Sequence, residues 1–358
     1  MAKQKIITST PGKLILLGEY AVLEQAPALV AAVSRTSKIS VTTRLDSVFE
    51  LEMPNLDLPN IPFIFDENGK IHLLKNTREQ LNGHGLVISV LEYMQAKSEE
   101  AFPPATIKID TSDFYHEDSG FKFGLGSSAA MTVGLIRAMN ELTSKPIASS
   151  DLYREAFEAH RWAQGKMGSG VDIAASANGG ILSYRMPDNQ NLETAQIENL
   201  EWPEELLMMC IWTGSSASTT EMLKKVDASK EANSASYWKI MAQMIELAEN
   251  GEQAFREKDA EAFLEIVEDY YRIEEQLGNE SGAKIISQSH RKCHELVTQT
   301  GGAYKPSGAG GGDIGIAFCT DMDTCNRIFE NITRSSFEVL NFSVQQNDIS
   351  KKSLHESL

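Results

Sequence analysis

Short apolar runs bounded by turn residues open the chain. Residues 13–17 and 28–33 are such runs, and residues 38–43 and 106–110 alternate apolar with polar positions as half-buried strands do. Residues 54–69 contain three prolines with Asn and Asp, a loop-and-hairpin pattern. Leu86, Val90 and Tyr93 give 85–96 a helical period. A glycine-rich stretch, 121–130, leads into 129–142, where Gly134 is the single helix-weakening residue. Ser150 and Asp151 offer N-cap chemistry for a helix to about residue 166. Gly168–Gly170 opens a further short helix that Gly179 and Gly180 end.

After Trp202-Pro203 the character changes. Residues 206–212 form an unbroken apolar run, the pattern of a strand buried on both faces. Two helices are predicted next, one presenting Ile240, Met241, Met244 and Ala248, the other Phe263, Ile266, Val267, Tyr270 and Leu277, stripes that read as core packing. Residues 301–312 form a second glycine-rich loop, followed by a strand at 314–319 and a helix near 324–330. Strands and helices mix in both halves, so the fold class is α+β in two domains, 1–200 and 201–358.

Composition narrows the function classes. The 358 residues are 42% hydrophobic and 23% charged, ordinary for a chain with a sizeable core. With 33 Lys and Arg against 50 Asp and Glu the net charge is −17, which repels nucleic acid and anionic lipid. No signal-peptide core follows the N-terminus, and the longest apolar stretch, 26–33, falls short of the roughly 20 residues that span a bilayer. Four cysteines without a CxxC pair make no disulfide framework. The expectation is a reduced, cytoplasmic protein with neither nucleic acid nor membrane as partner.

Three segments carry candidate chemistry: residues 11–22 (PGKLILLGEYAV), 124–130 (GLGSSAA) and 307–313 (SGAGGGD). In the middle one, Gly124 and Gly126 let the backbone turn closely around an anion, with Leu125 between them. The helix that follows, from Ser127, Ser128 and Ala129, adds about half a positive charge at its N-terminus. The serine hydroxyls suit phosphate oxygens or Mg²⁺. By itself this is either a triphosphate cradle or a serine-capped glycine turn. It lacks the Gly-Lys-Ser/Thr ending of a P-loop and the strand-borne acid of a dinucleotide fold.

In order and spacing the three segments resemble the signature motifs of the GHMP kinase superfamily, over nearly the whole chain. Residues 160–174 (HRWAQGKMGSGVDIA) and 212–219 (WTGSSAST) resemble the phosphomevalonate kinase forms, as do Gly18-Glu19-Tyr20 and Asp313 closing the third motif. The resemblance implies a ribosomal-S5-like N-terminal domain and a ferredoxin-like C-terminal domain with the active site between them. It implies ATP on residues 124–129 and Lys122, in a syn-type pose, and Mg²⁺ on Ser128. Lys13 and Asp172 would be catalytic: the aspartate orients the acceptor oxygen and the lysine stabilises charge on the γ-phosphoryl. Substrate would meet Glu19, Tyr20, Ser169, Gly170, Ser218, Gly308, Ala309, Gly310 and Asp313. Where mevalonate kinases carry a metal-binding glutamate this chain has Arg161, with His160 beside it, which leaves the second Mg²⁺ ligand open.

The implied reaction is ATP-dependent phosphorylation of (R)-5-phosphomevalonate to 5-diphosphomevalonate, in the mevalonate route to isoprenoids. Mevalonate kinase, the related diphosphomevalonate decarboxylase, another small-molecule GHMP kinase and a non-catalytic binding protein of the fold stay open. A homodimer is compatible with all of them. A trianionic acceptor on an acidic protein requires a positive cleft, for which Lys13, Lys122, Lys166 and Lys305 are the candidates. His290 and His294 have the spacing of a metal pair, but no third ligand adjoins, and a solvated helix face is expected. Neither loop serine sits in a GxSxG nucleophile elbow.

Overall fold

The computed structural model describes residues 4–74, 83–143, 147–165, 168–187 and 192–345. Strand β1 (Lys5–Leu17) pairs antiparallel with the long β2 (Ala28–Thr43). β3 (Phe49–Glu52), β4 (Ile61–Phe65), β5 (Ile71–Leu73) and β6 (Ala105–Asp110) extend this sheet from the far end of β2. β7 (Ile181–Arg185) and β8 (Gln196–Leu200) extend it from the near end of β2. The order is β5-β4-β3-β6-β2-β7-β8, with β1 also on β2 and the β3–β6 pair alone parallel.

The apolar run in β2 is continuous because both faces of the strand are covered. Leu29, Ala31 and Val33 join the core shared with the second half of the chain, whereas Ala28 and Val30 join the core of the first. Helices α1 (Gly85–Lys97), α2 (Ser127–Asn140), α3 (Ser149–Gln164) and α4 (Val171–Asn178) belong to that first half. α2 and α4 lie directly on β1 and β2. α3 starts one residue before the expected caps: Ala148 is its N-cap, and Asp151 pairs with Arg154 inside the first turn.

The second sheet has the order β10-β11-β9-β12, all antiparallel. Its strands are β9 (Leu207–Trp212), β10 (Ala303–Pro306), β11 (Ile314–Cys319) and β12 (Glu338–Leu340). Read from β12, that is fourth, first, third, second, the ferredoxin-like arrangement. Between β9 and β10 run α5 (Thr219–Ala232), α6 (Ser234–Glu257), α7 (Ala260–Ser281) and α8 (Gln288–Thr298), and α9 (Met322–Thr333) precedes β12.

Four expectations change. Four helices, not two, lie between β9 and β10, because α5 precedes the two apolar stripes and α8 follows them. β9 is fully buried only at Cys210–Trp212, while Leu207, Met208 and Met209 stay partly exposed. The glycine-rich stretch 301–312 contains a buried strand, β10. His290 is buried, not solvated: its ring bonds to the Tyr304 hydroxyl and the Gly312 carbonyl, and burial pushes its pKa down to about 4. His294 stacks on Tyr271 and bonds to Glu268. Among the described residues no helix is long and apolar enough to cross a membrane.

Candidate active site

The site forms where β1 meets the N-termini of α2 and α4. A register shift between Pro11 and Gly12 turns β1 here, and the Lys13 N–H donates to the Leu125 carbonyl at 2.9 Å, tying the strand to the glycine loop. Gly126 is the N-cap of α2 at φ +74°, so the first-turn N–H groups of the helix are free of a side-chain cap and face the loop. A Cβ on Gly126 would lie 3.0 Å from Lys13 Cγ and 3.4 Å from Asp172 Oδ2, which measures how tightly the loop, lysine and aspartate converge.

Lys13 is 5% exposed, and its Nζ stands 3.8 Å from Asp172 Oδ1. Asp172 lies in the first turn of α4, where the helix dipole favours its negative charge; the N-cap itself is Gly170. Phe157 of α3 packs so closely under Gly170 that a Cβ there would fall 2.0 Å from its ring. Ser128 Oγ lies 3.3 Å from His160 Nε2. Burial holds the His160 pKa below its ordinary value, against the opposing pull of Asp172, so the ring is neutral at pH 7.

These groups line a cavity of ≈ 330 Å³. Of the expected residues, Lys13, Glu19, Tyr20, Ser128, Ser169, Gly170, Asp172, Gly308 and Ala309 reach it. Among the residues the structure adds are Arg161 and Gln164 from α3 and Thr219 and Thr220 from α5, which were not expected at the substrate. Phe157, His160, Arg161 and Gln164 recur at i, i+3, i+4 and i+7, one helix face whose spacing was present in the sequence.

Other expected residues do different work. Ser218 is exposed and caps α5, its Oγ accepting from the Glu221 N–H at 3.3 Å, so it does not line the cavity. Gly310 backs onto the Ile285 carbonyl, 2.4 Å from where a Cβ would stand. Asp313 packs against Gly124, whose Cβ would fall 2.6 Å from the carboxyl, and accepts from the Ala217 N–H at 3.3 Å. Burial pushes its pKa up to about 6, with the Ala217 N–H and the Lys13 charge opposing. Leu125 and Ala129 send their side chains into the core, leaving only backbone for a ligand. Ser127 opens the first turn of α2, half-buried.

The expected cluster of cations does not form among the described residues. Lys305 is fully buried with its Nζ 2.5 Å from Glu19 Oε1, and the same oxygen accepts the Gly308 N–H at 3.0 Å. Lys122 is exposed, 5.5 Å from the Tyr115 ring centroid, outside the cavity lining. Lys166 lies outside the described residues. The Glu19–Lys305 pair is part of a seam between the two halves. Tyr20 donates to the Ala309 carbonyl and Tyr270 to the Glu19 carbonyl, both at 2.6 Å, while the Ser307 hydroxyl both accepts from and donates to the Ile15 backbone. Beside the seam Glu274 is fully buried with neither carboxyl oxygen hydrogen-bonded, and burial drives its pKa far above the ordinary value. Burial therefore favours its protonated form, against the opposing charge of Lys305.

Residues 85–180 match the GHMP kinases N terminal domain family. The chain is 28% identical to the phosphomevalonate kinase of a Streptomyces species over 88% of this chain and 90% of the relative. It is 26% identical to the mevalonate kinase of Pyrococcus abyssi over 86% of each. The fold superposes with a TM-score of 0.76 on Streptococcus pneumoniae phosphomevalonate kinase in complex with phosphomevalonate and AMPPNP, at 21% identity over 96% of this chain and 99% of that one. Residues 85–180 thus match the N-terminal domain of the GHMP kinases, and over most of its length the chain is similar to phosphomevalonate and mevalonate kinases, with the three motifs converging at Lys13.

Proposed function

We propose that this protein is an ATP-dependent phosphomevalonate kinase of the mevalonate route, transferring the γ-phosphoryl of ATP to the phosphate of (R)-5-phosphomevalonate to give 5-diphosphomevalonate and ADP. The observation that carries the reading is the Lys13–Asp172 pair, 3.8 Å apart at the uncapped N-terminus of α2. Phosphoryl transfer needs positioning and charge neutralisation more than covalent chemistry. The Gly124–Gly126 loop and the N-terminal N–H groups of α2 would hold the triphosphate. Lys13, buried and aimed between the loop and α4, would stabilise charge on the transferring group. Asp172 would orient the acceptor oxygen and take its proton where it carries one.

Mg²⁺, when bound with ATP, would neutralise phosphate charge. Ser128 Oγ and the Asp172 carboxylate are the protein groups that fit it. No group of three or more His, Cys, Asp or Glu gathers among the described residues. That suits a cation held mainly by phosphates and water, with one or two protein ligands. The Glu19 carboxylate at the cavity wall is countered by Lys305, which reduces its opposition to an anionic substrate.

The identity to a phosphomevalonate kinase over most of both chains supports phosphomevalonate as acceptor; mevalonate is the second reading, supported by the mevalonate kinase relatives. An ADP-release assay with ATP and Mg²⁺ on phosphomevalonate, mevalonate, homoserine and galactose decides. Strong turnover with phosphomevalonate alone is expected. Equal kcat/KM for mevalonate would move the enzyme to the second reading, and no ADP release with any acceptor would remove the kinase reading.

A further inference from the structure

The pairing of charges around the cavity leaves one group over. Its ionised side chains are Lys13, Asp172, Glu19 and Arg161. Lys13 faces Asp172, and Glu19 is taken by Lys305 from behind the wall. Arg161 has no carboxylate within ion-pair distance among the described residues. Its guanidinium carbon lies 5.3 Å from the centroid of the Phe157 ring, so the cation rests over an aromatic face at the cavity wall and not against a carboxylate.

Its direction separates it from the nucleotide. On α3, His160 turns to Ser128 at the glycine loop. Arg161, one residue on, follows Phe157, which packs under Gly170. Gln164, one turn further, extends the same face along the cavity. An amphipathic helix ordinarily continues its buried face with apolar residues. This one ends in an imidazole, a guanidinium and an amide, all able to donate hydrogen bonds.

We propose that Arg161, supported by Gln164, is a specificity-determining residue that binds an oxyanion of the acceptor, its carboxylate or its phosphate, as a bidentate fork. The inference rests on the kinase reading above and gives the acceptor end of the cleft to a residue outside the three motifs. It also supplies the positive charge that Lys122 and Lys305 do not bring to the cavity.

Steady-state kinetics on Arg161→Gln and Arg161→Lys test it, with calorimetric binding of phosphomevalonate and of mevalonate as a second readout that needs no turnover. The acceptor KM of Arg161→Gln should rise about a hundredfold, the loss expected when a charged pair is truncated, with ATP KM and kcat changed by less than about fivefold. Arg161→Lys should recover only part, because an ammonium cannot fork. Loss of binding for both compounds assigns the carboxylate, and loss for phosphomevalonate alone assigns the phosphate. Unchanged acceptor affinity in Arg161→Gln, or a rise in ATP KM equal to that for the acceptor, would overturn the assignment. If the wild-type protein binds these acids through Arg161 but releases no ADP, the kinase reading fails and the site stands.

Discussion

Two lysine–carboxylate pairs begin on the same segment of chain, six residues apart, and differ in nearly every physical respect. Glu19 meets Lys305 at 2.5 Å in full burial, with a third contact from the Gly308 N–H. Lys13 stands 3.8 Å from Asp172, whose side chain is 37% exposed toward the cavity. The first pair is short and closed to solvent: Lys305 and the Gly308 N–H both meet Glu19 Oε1, while Oε2 is buried without a hydrogen-bond partner. The second is longer and open to the cavity on the Asp172 side. Residue type does not tell the two pairs apart; burial and distance do.

Breaking the closed pair should cost the most. Lys305→Met leaves Glu19 buried without its counter-charge, and a loss of about 3–5 kcal/mol is expected in a denaturant melt. Adding Glu19→Gln should recover much of it, because the unpaired charge is gone. If Lys305→Met melted like the wild type, the seam would not hold the halves as argued.

The open pair should behave in the opposite way. Asp172→Asn and Lys13→Met are each expected to lower kcat by about 10²-fold or more. For Asp172→Asn stability should change by about 1 kcal/mol or less, since its carboxylate is partly solvated and the pair is long. Near-normal turnover in Asp172→Asn would take that carboxylate out of the reaction.

Asp313 lies between the two cases. Its folded pKa, about 6, is raised above the ordinary carboxylate value. A raised acid contributes stability that is fully present below its unfolded pKa, near 4, and lost as pH rises through about 6. Asp313→Asn should therefore gain about 1–2 kcal/mol relative to wild type between pH 4 and pH 7. Parallel pH profiles for the two proteins would contradict this. The smallest effect is expected at Ser128: Ser128→Ala should raise the Mg²⁺ needed for half-maximal rate about fivefold, one protein ligand among several being lost. An unchanged Mg²⁺ titration would exclude that hydroxyl as a ligand.

Local signals in the sequence were readable in proportion to how local their physics is. The glycine loop and α2 follow from a few adjacent residues, and the short apolar runs mark β1, β2 and β9. The pairing of Lys13 with Asp172 spans 159 positions and became legible only through the family resemblance. Lys305 misled because a lysine beside a glycine loop reads as a ligand for anions; its burial depends on Glu19, 286 residues away. Two signals were present and went unused. Ser218-Thr219-Thr220-Glu221 has the spacing of a capping box, which places Ser218 at the start of α5 rather than in the cleft. Phe157, His160, Arg161 and Gln164 trace one helix face, and only the fold shows that this face lines the cavity instead of the core.

The central claim is phosphoryl transfer onto an existing phosphate beside the Lys13–Asp172 pair. Phosphorus NMR of a reaction containing the protein, ATP, Mg²⁺ and phosphomevalonate reads it directly. The account predicts that the acceptor's single phosphomonoester resonance is replaced by two coupled resonances of a new diphosphate as ADP accumulates, and that the Asp172→Asn protein leaves the spectrum unchanged over the same time. A phosphomonoester signal that persists while ATP is consumed, or a diphosphate formed equally fast by Asp172→Asn, would contradict it.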